Sequence, residues 1–418
     1  MKKKQQEKIE EKKDVKQEEK QMESTEEKKE EKQFKDTEEK KDEKEENQTA
    51  RQEEQGKTTK KKLPLWGKIV IGLLVVVLVI SGSAYAAFHY YYNQMNVVSD
   101  DVTEEAQEEF FDEDENIENL KEVDPSTIQL DSASEAEKNS SVINILVCGE
   151  EAINDNRGRT DSIMIATINQ VDNKLCLTSI MRDTYVKIPG FSDNKINAAY
   201  HNGGMKTLMA TIKQNFGIEV DGYVLVNFDS FQAVIDAIGG IDIELSQEEA
   251  SYLNRTNYIS DYSNHNLVAG VNHMNGNQAL GYARVRYVSK DGNYGDFART
   301  LRHRTVMSAI FDKMMKKSTL ELVAMIPDIL PLVTTNIKKA ELVEYLTAGV
   351  KVRDKNPKLK TLNVPIPGCY KITRVRSMSV VLASPLDANV KKMQKFIYGS
   401  ALKQENNNSN GAHITVGQ

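Results

Sequence analysis

The residues in this sequence best suited to chemistry are its arginines. Arg157 and Arg159 stand in the run Arg157-Gly158-Arg159-Thr160-Asp161-Ser162, just before an apolar, strand-like stretch, and Arg182-Asp183 follows the next such stretch. Arg284, Arg286, Arg299, Arg302 and Arg304 then crowd into one later segment. On a helix Arg299, Arg302 and His303 share a face (i, i+3, i+4), and if 284–286 is extended Arg284 and Arg286 point the same way. A guanidinium binds phosphate or carboxylate oxygens two at a time, so several at strand ends point to a multiply charged anion. For any single arginine an ordinary surface ion pair is the better reading; the set, beside Gly and Asp, favours an anion site.

Carboxylates accompany the arginines: Glu150, Glu151, Asp155, Asp161, Asp183, Asp291 and Asp296. Hard oxygen ligands beside phosphate-binding arginines suit Mg²⁺, which takes one or two carboxylates and the substrate phosphates. Charge balance for the arginines explains them equally well. The six histidines show no metal-ligand spacing, and no GxSxG elbow, Walker loop or GxGxxG is present. Cys148, Cys176 and Cys369 are odd in number, match no zinc or redox motif, and read as small buried hydrophobes.

The elements that must position these residues alternate. Ile143–Cys148, Ser162–Asn169 and Leu175–Met181 read as strands, Met205–Phe216 as a helix and Tyr223–Phe228 as a strand. Ser230–Ile238 reads as a helix capped by Asp229 or Ser230, followed by a strand at Ile241–Leu245 and a polar loop over Ser251–Asn266. Helices follow at Asn277–Ala283, Phe297–Lys316, Thr319–Ile326 and Lys339–Val350, then a strand near Leu359–Val364 and a helix near Asp387–Tyr398. The expected fold is an α/β layered domain over 141–402, large enough for one core.

Composition assigns the rest. Of 418 residues 28% are charged, but unevenly. Residues 1–62 hold 20 Lys/Arg and 20 Asp/Glu with no apolar seam, and read as a disordered, solvated cytoplasmic tail. Ile69–Phe88 is uncharged and, at about 1.5 Å per residue, just spans a bilayer, so 63–92 is expected to be a single transmembrane helix. Lys60, Lys61, Lys62 and Lys68 before it and Tyr90, Tyr91 and Tyr92 after it put the N-terminus in the cytoplasm and the rest of the chain outside. Residues 100–124 hold 13 Asp/Glu and one Lys, so 93–140 reads as an extended acidic spacer. The formal charge of −7 belongs to that spacer. Residues 125–418 carry 33 basic and 29 acidic residues, too balanced for binding nucleic acid. The Asn-rich end, 403–418, reads as disordered.

Seven stretches together resemble the LytR–CpsA–Psr family of bacterial envelope proteins. They are NILVCGE (144–150), GRTDSIMIATIN (158–169), SIMRDTYVKIPG (179–190), KINAAYHNGG (195–204), YVLVNFDSFQAVIDAIGGIDIEL (223–245), MNGNQALGYARVRY (274–287) and GDFARTLRHRTV (295–306). Each is weak alone; the ordered set is specific.

The resemblance implies a three-layer α-β-α domain whose mixed sheet and helices enclose an apolar tunnel for a polyprenyl chain. It implies transfer of a glycopolymer, of teichoic acid or capsule type, from a polyprenyl-pyrophosphate carrier to peptidoglycan. By motif position the pyrophosphate would be held by Arg159, Arg182, Arg284, Arg286 and Arg299, with Arg302 and His303 beside it. Mg²⁺ or Mn²⁺ would be held by Asp161 and Glu151, with Asp296 and Asp183 supporting from behind. Three positions depart from the family pattern. Glu151 stands where an Asp is usual, Met181 where Pro precedes Arg-Asp, and His303, which can donate a hydrogen bond but also titrates, where Gln is usual. A lipid-pyrophosphate phosphatase and a non-catalytic envelope regulator are the competing readings.

Overall fold

The computed structural model describes residues 85–99, 105–107, 119–130, 132–133, 137–153 and 156–402. The tails expected over 1–62 and 403–418 and most of the apolar run Ile69–Phe88 lie outside the described residues; 85–92 are helical. Among the described residues no helix is long and apolar enough to cross a membrane.

In chain order the strands are β1 (Asn96–Val97), β2 (Val142–Ile153), β3 (Asn156–Asn169), β4 (Lys174–Ile180), β5 (Tyr185–Val186), β6 (Asn194–Lys195), β7 (Gly222–Val226), β8 (Ile241–Leu245), β9 (Gly270–Met274), β10 (Thr334–Thr335), β11 (Lys360–Val364), β12 (Tyr370–Val375) and β13 (Met378–Ala383). The helices are α1 (Asn197–Phe216), α2 (Phe228–Ala237), α3 (Gln247–Leu253), α4 (Gly276–Arg284), α5 (Gly295–Lys316), α6 (Thr319–Ile329), α7 (Lys339–Arg353) and α8 (Leu386–Tyr398). Seven strands form one mixed sheet, ordered β1-β10-β7-β2-β3-β4-β11. β2, β3 and β4 pair antiparallel, while β7 joins β2 and β11 joins β4 in parallel. The expected α/β domain with a mixed central sheet is the observed fold.

Strand alternation separates the two faces of the sheet. Leu146, Cys148, Ile163 and Ile165 turn into a core shared with α1 and α8. Val147 and Met164, offset by one residue, turn the other way, into a cavity. A second core gathers β8, β9 and helices α2 to α5. Cys148 and Cys176 are buried, as read from the sequence, whereas Cys369 is only half-buried; all three are free.

Several local readings are corrected. α2 starts at Phe228, not Ser230, because Asn227 comes first and its side chain accepts from the Ser230 N–H at 2.8 Å. α1 starts at Asn197 and continues past Met205 across a kink where Gly204 has φ +71°, a conformation that favours glycine. The polar loop expected over 251–266 holds the end of α3 and a short 3-10 turn at Tyr262–Asn264. The signal for α3 was the Ser246–Glu249 capping box. The hairpins β8–β9 and β12–β13 each pair antiparallel, and β9, β12 and β13 were not expected. The spacer is not wholly free: β1 pairs with β10 at the sheet edge, and Glu122 bridges Arg374. An edge strand offers unpaired backbone groups, which the short β1 satisfies.

Candidate active site

Between the second face of the sheet and helices α2, α4 and α5 lies a cavity of about 220 Å³. Its body is apolar, built from Val147, Met164, Phe231, Leu280, Val306 and Met307. Its mouth is charged, with Glu151, Asp161, Arg284, Arg286 and Arg299 on the wall.

A break in strand register sets the key carboxylate. Gly149 pairs with Ser162 but Glu150 pairs with Thr160, which leaves Asp161 as the extra residue of a β-bulge. Bulges re-aim side chains. Here Asp161 and its neighbour Ser162 both line the cavity.

Arginines from three separate parts of the chain meet at Asp161. Its Oδ1 accepts a hydrogen bond from Arg182 Nη1, and its Oδ2 accepts one from Arg299 Nη1 at 3.1 Å. Arg286 Nη2 stands 4.0 Å from the same Oδ2. Arg299 Nη2 also donates to Asp296 Oδ1, and Arg182 Nε lies 3.4 Å from that oxygen and 3.6 Å from Asp183 Oδ1. Asp183 in turn faces the buried Lys195 at 3.5 Å. Burial by itself would raise the Asp161 pKa, but the fields of Arg299 and Arg182 outweigh it and hold the carboxyl at about 2. Asp183 is pushed up, first by burial and then by Asp296. Arg299 is 3% exposed, and its Nε is buried with no hydrogen-bond partner. That is a donor placed for an acceptor the protein does not supply.

Arg284 and Glu151 stand at the outer rim, 3.7 Å apart and each half-exposed. The Arg284 guanidinium lies 4.6 Å from the Phe228 ring centroid, which fixes its plane. His303 also lines the cavity. Burial, then the charge of Arg299, lowers its pKa to about 4, so it is a neutral imidazole at pH 7 and does not titrate near neutrality as expected.

Two sequence expectations fare differently. Arg302 is corrected: it is fully buried, donates from Nε and Nη2 to Glu249 Oε1 (3.2 and 2.9 Å) and caps the carbonyls of Val285 and Val288. It tethers α5 to α3 and to the segment after α4, and has no part in the cavity. Arg159 pairs across β2–β3 with Glu151, beyond the bulge and outside the cavity wall. Arg304 points away from the cavity, to Asn363. Asp155 lies outside the described residues. Sequence reasoning missed Phe228 and Lys195 as individual residues, although both sit in the stretches that carried the family resemblance.

Among the described residues no three His, Cys, Asp or Glu side chains converge as a metal cage. Two carboxylates, Asp161 and Glu151, do face the cavity, and Asp161 stays ionised across the physiological range. That donor set fits Mg²⁺ held jointly with phosphate oxygens.

Comparison with known proteins finds relatives of this chain. The model of the LytR_cpsA_psr family matches residues 92–395. The regulatory protein MsrR of Staphylococcus aureus strain Mu50 is 30% identical over 264 residues, 62% of this chain and 76% of the relative. The polyisoprenyl-teichoic acid–peptidoglycan teichoic acid transferase TagU of Bacillus mycoides is 31% identical over 230 residues, 55% of this chain and 70% of the relative. The crystal structure of protein gbs0355 from Streptococcus agalactiae shares the fold at TM-score 0.50 and 24% identity, covering 62% of this chain and 88% of that one.

Proposed function

This chain belongs to the LytR_cpsA_psr family, and from that premise we propose that it is a membrane-anchored glycopolymer transferase. In this reading it moves a teichoic acid or capsule-type polymer from a polyprenyl-pyrophosphate carrier to peptidoglycan, on the outer side of the cell membrane. The name of the relative TagU supports the substrate class. The observation that carries the reading is the convergence of Arg182, Arg286 and Arg299 on Asp161 at the mouth of an apolar cavity. One end suits a diphosphate and the other a hydrocarbon chain.

The chemistry follows from that division. A sugar hydroxyl of peptidoglycan attacks the glycan-bearing phosphorus, the bond to the bridging oxygen breaks, and polyprenyl phosphate leaves. Charge on the phosphoryl oxygens is met by arginines already held in place, so little reorganisation is needed. Asp161, with its pKa at about 2, is too weak a base to keep the hydroxyl proton, which passes to the open mouth. Its work is to hold Arg182 and Arg299 in register. Mg²⁺, held by Asp161 and Glu151, would add charge neutralisation. Asp296 and Asp183 orient the arginines from behind.

Hydrolysis is the second reading, favoured by the exposure of the mouth, where Tyr287 on the cavity wall is 77% exposed. The test incubates the full chain in proteoliposomes with a polyprenyl-pyrophosphate glycan labelled in its sugar, Mg²⁺ and peptidoglycan. Labelled peptidoglycan is expected, lost in Arg286→Ala. Release of free glycan phosphate with the acceptor unlabelled would replace transfer by hydrolysis.

A further inference from the structure

α6 is an unusual helix for a folded domain. Its sequence, TLELVAMIPDI, carries only Glu321 and Asp328 as charges, yet none of its residues is fully buried. Met325 and Ile329 pack against the same apolar cluster as Phe231, a wall residue of the cavity. The other side is bare: Leu320 is 83% and Val323 56% exposed, one turn apart on a single stripe. Glu321 and Asp328 are exposed at the border of that stripe, and an apolar stripe left uncovered between polar edges lacks a partner.

Topology says at which end of the sheet α6 lies. β1 and β10 pair in parallel, with Asn96 opposite Thr334. Whatever precedes two parallel strands sits at the same end of both. Before β1 comes the helical stretch 85–92, the continuation of the apolar run Ile69–Phe88; before β10 comes α6. Residue 92 is four steps from Asn96, at most about 14 Å of chain. Tyr92 Oη donates to Ile337 O at 3.1 Å, and the Lys339 ammonium stands 5.6 Å from the Phe88 ring and 5.1 Å from the Tyr92 ring. Cations flank α6 on both sides, with Lys316 and Lys317 before it and Lys338 and Lys339 after it.

We propose that α6, with its flanking lysines, lies on the outer surface of the bilayer in which residues 69–88 are anchored, Leu320 and Val323 sunk at the headgroup boundary and the lysines facing anionic lipid phosphates. The inference rests on the anchored reading above. Apolar side chains below and lysine heads above are the arrangement that holds a helix in a membrane interface. It also deepens the functional reading. α6 packs on α2, whose Phe228 and Phe231 line the cavity. A prenyl chain leaving the bilayer at α6 would therefore reach the apolar cavity after about one helix spacing, 8–10 Å.

Nitroxide labels on the full chain, reconstituted in phosphatidylglycerol-containing vesicles, test this. Cys148 and Cys176 are buried, so a Cys369→Ser background leaves the introduced cysteine as the reactive one. Labels at Leu320→Cys and Val323→Cys should lose collisions with an aqueous nickel chelate and gain them with oxygen. A label at Ile372→Cys, exposed on β12, should remain in water, and one at Val77→Cys should read the hydrocarbon. Labels at 320 and 323 that report water while 77 reports lipid would overturn the docking and leave the anchor standing. Water at all three would overturn both. Lipid at 320 and 323 with water at 77 would keep the surface and remove the span. Spin–spin broadening at 320 would assign the bare stripe to a second copy of the chain and overturn the proposal.

Discussion

Arg299 and Arg302 stand one turn apart on α5, both nearly inaccessible, yet they belong to different kinds of site. Arg302 meets a single carboxylate, Glu249, which is 2% exposed, and the rest of its fork is filled by backbone carbonyls. Every donor there has a use inside the fold. Arg299 shares two carboxylates with Arg182 and Arg286, and its Nε has no partner. Burial and charge are nearly the same at the two positions. What separates structure from function is whether the partners use up the guanidinium or leave some of it unanswered.

Exchanging the two roles by mutation gives the largest expected contrast. Arg302→Ala leaves the buried Glu249 with Lys290, 3.5 Å away, as its remaining cation and the Ser246 N–H as its remaining hydrogen bond. A stability loss of about 3 kcal/mol or more is expected in urea unfolding. Arg299→Ala leaves both of its carboxylates with Arg182 for company, so urea unfolding should shift much less. Transfer to peptidoglycan should instead fall by about 10²–10³-fold, the usual cost of removing one preorganised donor to a developing charge. Equal stability losses from the two variants would erase the distinction.

That distinction was the part the sequence could not carry. Helical spacing correctly put Arg299, Arg302 and His303 near one face of a helix, but a face is wide enough to serve both a cavity and a core. The partner that claims Arg302 lies 53 residues earlier, on a seven-residue helix that only its capping box signals. The central strands were legible in β4 and in the inner halves of β2 and β3, which are short apolar runs beside turn residues; the polar outer halves, 149–153 and 156–161, carry no such signal. β9, Gly-Val-Asn-His-Met, is half polar and carries no such signal until β8 pairs with it. The bulge that turns Asp161 into the cavity is a matter of register between two strands, and neither strand shows it alone.

His303 sharpens the comparison, because it follows Arg302 directly but faces the cavity with Arg299. A histidine held at about pH 4 by burial and Arg299 binds fewer protons folded than unfolded between about 4 and 6.5. Stability should therefore be complete above about pH 6.5 and decline as pH falls towards 4. Since the ring is partly reachable from the cavity, a loss of about 1–2 kcal/mol is expected over that window. His303→Gln, which cannot take up the proton, should flatten the decline. An unchanged slope in that variant would mean the positive field at the cavity wall is weaker than the geometry implies.

The smallest effect probes the Arg302 side alone. Glu249 does two things at once: its Oε2 accepts from the Ser246 N–H at 3.0 Å, closing the cap of α3, while its Oε1 takes Arg302. Ser246→Ala removes the hydroxyl that accepts from the Glu249 N–H at 3.1 Å, but leaves the carboxylate and its arginine in place. Loss of one helix cap costs about 1 kcal/mol, so urea unfolding should shift by that much while transfer holds at the wild-type rate. A transfer defect in Ser246→Ala would mean that Arg302 reaches the cavity through α5 after all. The two arginines would then form one coupled unit rather than a scaffold and a site.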